Sequence, residues 1–250
     1  MIRGVILDYG STLIRFDGDI AEVRARAHRI LVDALRREGV PARERSFARR
    51  FARKFEAYDR QRAADHLETT AAAVLVATIR EEKIPAQPEA VLRRALRSMY
   101  EEFEAHWQLF PDSLAALEKL RASGLRTAML SNASDEDNVR RMLSNHGIED
   151  FFDPIVISAA IGIRKPDARA FRPILSAWNL PAADIVMVGD QLGTDILGAK
   201  PLGIRSIWLT TEEGSPSNRP FRGKVAADAA VKTIGEAAAL ILHWKGGTAE

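Results

Sequence analysis

The chain has 250 residues, enough for one large domain or a core domain with a smaller insert, and its apolar content is ordinary for a globular protein. Its 36 Lys and Arg nearly balance 34 Asp and Glu, so the formal charge of +2 implies no nucleic-acid partner. There is no cysteine, which excludes disulfides, thiolate metal sites and a cysteine nucleophile.

No apolar stretch approaches the length of a membrane span. The opening residues, MIRGVILDYG, lack the small-residue cleavage site of a signal peptide. A cytoplasmic protein with no membrane partner is therefore expected.

Residues 3 to 8 predict a buried strand, because Val5, Ile6 and Leu7 form a continuous apolar run that ends at Asp8 and the turn of Gly10, Ser11 and Thr12. From about 19 to 106 the chain is charged and helix-forming, with almost no strand signal. Asp19 is placed as an N-cap and Gly39 as a C-cap of the first helix. Further helices are predicted over 43–62, 67–82 and 88–106, with Pro41, Pro85 and Pro88 near their breaks.

After LFPDS the rhythm changes. Helix 112–123 leads to the strand RTAMLSN, helix 135–145 to PIVIS, helix 167–178 to DIVMVGD, and helix 192–201 to RSIWLT. A weak strand near Ala230 and Val231 precedes helix 234–244. This alternation predicts an α/β fold with a doubly wound, Rossmann-like parallel sheet that includes the opening strand. The expected division is an α/β core of residues 1–16 plus 108–250 and an inserted α-helical domain of residues 17–107. TTEEGSPSNRPFRGK reads as a long polar loop, and the terminal KGGTAE as a frayed end.

Four polar clusters stand at or just after strand C-terminal ends, where ligands bind in open parallel sheets. Asp8 is placed as a nucleophile toward phosphorus or as a metal ligand, although a turn or capping role fits the same stretch. Ser131 and Asn132 are placed to hold phosphate oxygens, or simply to form a turn. Lys165, ahead of Pro166, can neutralise both a carboxylate and a phosphoryl group. A solvated lysine is its plain alternative, and Arg164 is the neighbour most easily confused with it. Asp190 and Asp195 form the most specific cluster, since paired carboxylates at a strand end suit Mg²⁺, which takes hard oxygen ligands. Gly189 and Gly193 are expected to let this backbone turn tightly.

Taken together, DYGSTL, LSN, KPD followed by Phe171, and VGDQLGTDILGAK resemble the haloacid-dehalogenase-like superfamily, in its branch with a helical cap inserted after the first motif. The resemblance covers essentially the whole chain. It implies a Mg²⁺-dependent hydrolase, a phosphatase of small phosphorylated metabolites working through an aspartyl-phosphate intermediate. By that resemblance Asp8 is the nucleophile and a metal ligand, the Gly10 carbonyl a second ligand and Asp190 a third, with Asp195 supporting directly or through water. Ser131 binds the phosphoryl group, joined by Asn132 and Thr12 as substrate-binding candidates, and Lys165 neutralises charge. The oligomeric expectation is a monomer or homodimer.

One departure matters. Phosphatases of the superfamily usually carry a second Asp two residues after the nucleophile, and this chain has Gly10 there. A carbonyl can meet a metal but cannot move a proton, and general acid–base catalysis is worth about 10²–10⁴-fold. Phosphonate-cleaving and carbon–halogen-cleaving relatives also lack the second Asp, and a non-catalytic phosphate-binding protein is the reading from another class. Asp17 is a candidate replacement acid, although an exposed loop role fits it better. In the helical segment, Arg45, Arg49 and Arg53 share one face, read as a solvated face or as a cationic wall for a second anionic group. Phe47, Phe51 and Phe55 form a second stripe, read as core of the insert.

Overall fold

A computed structural model describes residues 1–247. The chain opens with β1 (Gly4–Leu7) and then β2 (Ile14–Phe16). Four helices follow: α1 (Ile20–Arg37), α2 (Glu44–Asp65), α3 (Ala71–Glu81) and α4 (Glu89–Glu104). The chain returns through β3 (Trp107–Leu109), which pairs antiparallel with β2. The remaining elements are α5 (Ser113–Ala122), β4 (Arg126–Ser131), α6 (Glu136–Asn145), β5 (Ile155–Ile157), α7 (Ser158–Ile161), α8 (Arg172–Trp178), β6 (Ile185–Gly189), α9 (Leu197–Ala199), β7 (Arg205–Leu209), β8 (Ala229–Val231) and α10 (Ile234–Gly246).

Six strands form one parallel sheet in the order β5-β4-β1-β6-β7-β8. Both faces are covered, so successive side chains of one strand enter different cores. Val5 and Leu7 pack with Met129, Val186 and Val188 beneath Leu117 of α5 and Ile241 of α10. Ile6, between them, packs on the other face with Leu130, Met187, Phe171 and Trp178. The strand order reverses at β1: the chain moves out to β4 and β5, then crosses back to β6. Such a switch point leaves a crevice at the C-terminal strand ends, and Asp8, Ser131 and Asp190 all stand there.

The four helices between β2 and β3 bury a cluster of their own, including Leu31, Leu35, Phe47, Phe51, Leu75 and Leu96. Asp19 caps α1 as expected, accepting from the Ala21 and Glu22 amides. Gly39, at φ +80°, takes the left-handed position just past its end. Among the described residues no helix is long and apolar enough to cross a membrane.

The structure departs from the sequence reading in four places. Helix 67–82 starts only at Ala71, because α2 runs to Asp65 and ends on a left-handed His66, after which Leu67 forms an antiparallel bridge with Ile163. Helix 167–178 opens as a 3₁₀ turn over Ala168–Phe171 before α8. Helix 192–201 is three short pieces: a π-turn at Leu192–Ile196, α9, and a 3₁₀ turn at Lys200–Leu202, where Pro201 lacks an amide to continue the ladder. The β2–β3 ribbon was not predicted, because three-residue strands carry too little alternation to register. The terminal stretch expected to fray lies partly outside the described residues, and Lys245 and Gly246 still belong to α10.

Candidate active site

Asp8 follows the last residue of β1, and its amide donates to the Val188 carbonyl of β6 at 3.0 Å. Its side chain is therefore delivered by the central strand into the crevice, where it is buried. Lys165 reaches it from a turn 157 residues away. The Lys165 ammonium contacts Asp8 Oδ1 at 2.7 Å, Asp195 Oδ1 at 2.7 Å and the Leu130 carbonyl at 2.6 Å. An ammonium has three protons, and all three are engaged within the chain. In this arrangement Lys165 holds two carboxylates in place rather than offering a free donor. Burial works against its charge, but the facing carboxylates of Asp195 and Asp8 outweigh it and hold its pKa above the usual lysine value.

Asn132 is brought to the site in an unexpected role. Its Nδ2 donates to the Lys165 carbonyl at 3.0 Å, and its Oδ1 accepts from the Lys165 amide at 2.9 Å. Both ends of the amide are thus used to fix the lysine backbone. Ser131 ends β4 and is buried beside it. Thr12, buried, lies 3.4 Å from Asp8 Oδ2 and 3.4 Å from Asp190 Oδ1. Arg164 turns away from the crevice and pairs with Glu68.

Asp8, Asp190 and Asp195 offer carboxylate oxygens that lie within 4.8 Å of one another, all three buried. Three carboxylates gather around one lysine that pairs with two of them, so two negative charges are in excess if all ionise. The excess falls on Asp190, which receives only the amide of Gln191 and the distant Thr12 hydroxyl, while Lys165 serves the other two. Burial, reinforced by Asp8 and then Asp195, pushes the Asp190 carboxyl well above the ordinary carboxylate range. Burial likewise raises Asp195. This surplus of hard oxygen donors over cations fits a divalent ion such as Mg²⁺. Gly189 and Gly193 do not take left-handed backbone, contrary to the tight-turn expectation. They are needed for close approach: a side chain at Gly189 would collide with the Asp195 carboxylate, and one at Gly193 with the Phe221 ring.

Gly10 is only partly buried, and a Cβ built on it would meet Trp107 Cη2 at 3.8 Å, an ordinary contact. Trp107, on β3, thus lines the space a second carboxylate would use. Asp17 is exposed beyond the ribbon, with its amide bonded to the His106 carbonyl at 2.8 Å and its own carbonyl to His106 Nδ1 at 2.7 Å.

Several contributors escaped the sequence reading. Asn218, within the stretch read as a polar loop, is completely buried. Its Oδ1 accepts from the Leu192 amide at 2.8 Å, and its Nδ2 donates to the Asp190 carbonyl at 3.0 Å, a carbonyl that also accepts from Trp208 Nε1 at 2.9 Å. Ser217 donates to Gln191 Oε1 at 2.6 Å. The loop is therefore a brace for the Asp190 turn. Only the lone Asn in a charged loop hinted at it. In the helical unit Phe47 and Phe51 are fully buried and Phe55 packs beside them, while Arg53 pairs with Glu81. A cavity of about 230 Å³ is lined almost wholly by this unit, by Arg24, His28, Phe55 and Tyr100 among others, with Ser134 the core residue in its lining.

The sequence model of the haloacid dehalogenase-like hydrolase family matches residues 2–203. The chain therefore belongs to that family and is a hydrolase. Phosphoserine phosphatase of Thermus thermophilus is 36% identical over 103 residues, a stretch covering 41% of this chain and 41% of that enzyme. The chain thus matches well under two thirds of that relative's length. Solved structures match nearly throughout, two of them as follows. A HAD phosphatase from Thermococcus onnurineus has TM-score 0.63 at 22% identity, covering 96% of this chain and 98% of that one. A 2-haloacid dehalogenase from Pseudomonas syringae has TM-score 0.67 at 24% identity, covering 98% and 100%. At such identities these two establish the shared fold alone.

Proposed function

We propose that the protein is a Mg²⁺-dependent phosphatase of small phosphorylated molecules, with residues 17–107 forming a helical cap over an α/β core of residues 1–16 and 108–250. The observation that carries this reading is the surplus of buried carboxylate: of three clustered aspartates Lys165 pairs with Asp8 and Asp195, and among the described residues no cation pairs with Asp190. A dehalogenation site attacking a neutral carbon has no need of that surplus. The named phosphatase among its relatives supports the same choice.

Asp8, Asp190 and the Gly10 carbonyl would hold the ion, with Asp195 supporting. When bound, the ion supplies positive charge opposite the phosphoryl oxygens. Lys165 occupies Asp8 Oδ1 and leaves Oδ2, whose nearest donor is Thr12 at 3.4 Å, as the oxygen free to attack. Oδ2 forms a bond to phosphorus while the ester P–O bond breaks and its electron pair leaves with the alcohol oxygen. Water then attacks the phosphorus of the aspartyl phosphate, releasing inorganic phosphate and restoring Asp8. Ser131 would bind phosphoryl oxygens. Asn132, committed to the Lys165 backbone, acts by holding the lysine and so the nucleophile.

The test is turnover of p-nitrophenyl phosphate with Mg²⁺ and with EDTA, alongside chloride release from a 2-haloacid. Phosphate release that needs Mg²⁺ and vanishes in a folded Asp8→Asn variant is expected. Chloride release without phosphate release would replace the proposal with dehalogenation, and neither activity would leave a binding protein.

A further inference from the structure

The Glu68 side chain is fully inaccessible, yet it lies in the loop between α2 and α3 rather than in a core. Tyr58 of α2 donates to its Oε1. Ser158 donates to its Oε2 at 2.5 Å, and Arg164 Nη1 to the same oxygen at 3.1 Å. One carboxylate of the helical unit thus gathers two donors from the α/β core. The backbone follows it. The Glu68 amide donates to the Gly162 carbonyl at 3.0 Å, the Arg164 amide to the His66 carbonyl at 3.0 Å, and Leu67 and Ile163 form an antiparallel bridge.

Both core partners lead directly to the site. The Ser158 hydroxyl accepts from the Ala133 amide at 2.9 Å, and the Ala159 amide donates to the Ala133 carbonyl at 3.1 Å. Ser158 therefore holds the loop that begins with Ser131 and Asn132. Arg164 immediately precedes Lys165, whose ammonium carries Asp8 and Asp195. The two loops are already joined to each other by the Asn132–Lys165 pair. A buried ion pair is poor evidence for stability, because desolvation offsets the attraction, and it is better explained by the geometry it imposes.

We propose that Glu68 is a positioning residue that registers both catalytic loops against the helical unit, so that seating of that unit sets the geometry around Asp8. Its kinetic consequence rests on the phosphatase reading. Its structural consequence does not.

The test uses the full chain with Glu68→Gln, which keeps the shape but cannot hold the guanidinium charge, and with Ser158→Ala, which cuts the link to the Ser131 loop and with it the acceptor of the Ala133 amide. Hydrogen exchange, the thermal midpoint, and kcat and KM for an aryl phosphate with Mg²⁺ are measured together. Glu68→Gln is expected to speed exchange in segments 131–134 and 162–165 while the sheet strands stay protected. Ser158→Ala should speed exchange at Ser131, Asn132 and Ser134 as well as at Ala133, whose amide loses its acceptor directly, and leave 162–165 unchanged, and so keeps the idea testable if the glutamine variant misfolds. For Glu68→Gln, kcat should fall roughly 10- to 100-fold while KM moves less than about threefold, the pattern of a misplaced reacting group. Adding Arg164→Gln should cost little more. Unchanged exchange in both segments, or protection lost evenly across the chain with kcat intact, would overturn the proposal. A wild-type chain without turnover sinks the phosphatase reading instead, and the exchange data then decide the role of Glu68.

Discussion

Replacing Gly10 with Asp should restore an acid where the first motif lacks one. The backbone accepts the change, since Gly10 does not adopt a left-handed conformation and the new Cβ would meet Trp107 Cη2 at 3.8 Å. The carboxyl group then enters beside Trp107, near a cluster in which burial and mutual repulsion already disfavour ionisation of Asp190. Without metal the variant should be less stable than wild type, and with Mg²⁺ that difference should shrink. An alkyl leaving group departs as a poor anion unless protonated, whereas an aryl leaving group is stable without a proton. Wild type should therefore show a steep fall in phosphorylation rate with leaving-group pKa. In the variant that dependence should flatten, with alkyl phosphate turnover rising by roughly 10²–10⁴-fold, the usual yield of general acid–base catalysis. At 1.36 kcal/mol per tenfold this is about 3–5 kcal/mol of barrier. The assay is steady-state release of phosphate from matched aryl and alkyl esters, with quench-flow trapping of phosphorylated enzyme, which should accumulate in wild type because no base activates water. Brisk alkyl ester turnover by wild type, unchanged in Gly10→Asp, would refute the reasoning. If Asp17→Asn abolished that turnover, the acid would have been relocated to the segment between β2 and α1.

Asp190→Asn should remove the carboxylate that no cation serves: in EDTA the variant should unfold at the same or a higher temperature than wild type, and the rise in thermal midpoint with Mg²⁺ should largely disappear, as should the binding heat in titration calorimetry. His28 is held to about 4 by burial, reinforced by Arg24, against an ordinary value of 6.5, so the unfolded chain takes up a proton that the folded one refuses. Stability should accordingly be lost as pH falls from about 6.5 to about 4, by at most roughly 3 kcal/mol, with no contribution at neutral pH. His28 meets the Phe51 ring edge-on and lines the cavity shared with Arg24, Glu56, Asp59 and Arg62. His28→Leu should shrink the difference between urea midpoints at pH 7 and pH 5, and an unaltered difference would place the titration elsewhere.

What the sequence determined by itself is local. The apolar runs ending at Asp8, Ser131 and Asp190 made those residues strand termini, because a continuous hydrophobic segment closed by a polar turn folds the same way in any parallel sheet. The N-cap at Asp19 and the left-handed Gly39 were equally legible, being settled within one helical turn. The alternation of strands and helices around a helical insert was enough for the fold class. Tertiary structure decided what the site residues do to one another. That Lys165 spends all three protons on Asp8, Asp195 and Leu130, that Asn132 serves the lysine backbone, that Trp107 faces Gly10, and that Asn218 braces Asp190 are facts about segments tens to hundreds of residues apart. Glu68 is the extreme case. The helix predicted over 67–82 places it in a first turn, yet it lies in the α2–α3 loop with its side chain buried, because sheet topology brings Ser158 and Arg164 against that loop. Periodicity and capping are short-range properties of a chain, whereas hydrogen-bond partners across a crevice exist only once strand order has placed the ends of β1, β4 and β6 side by side.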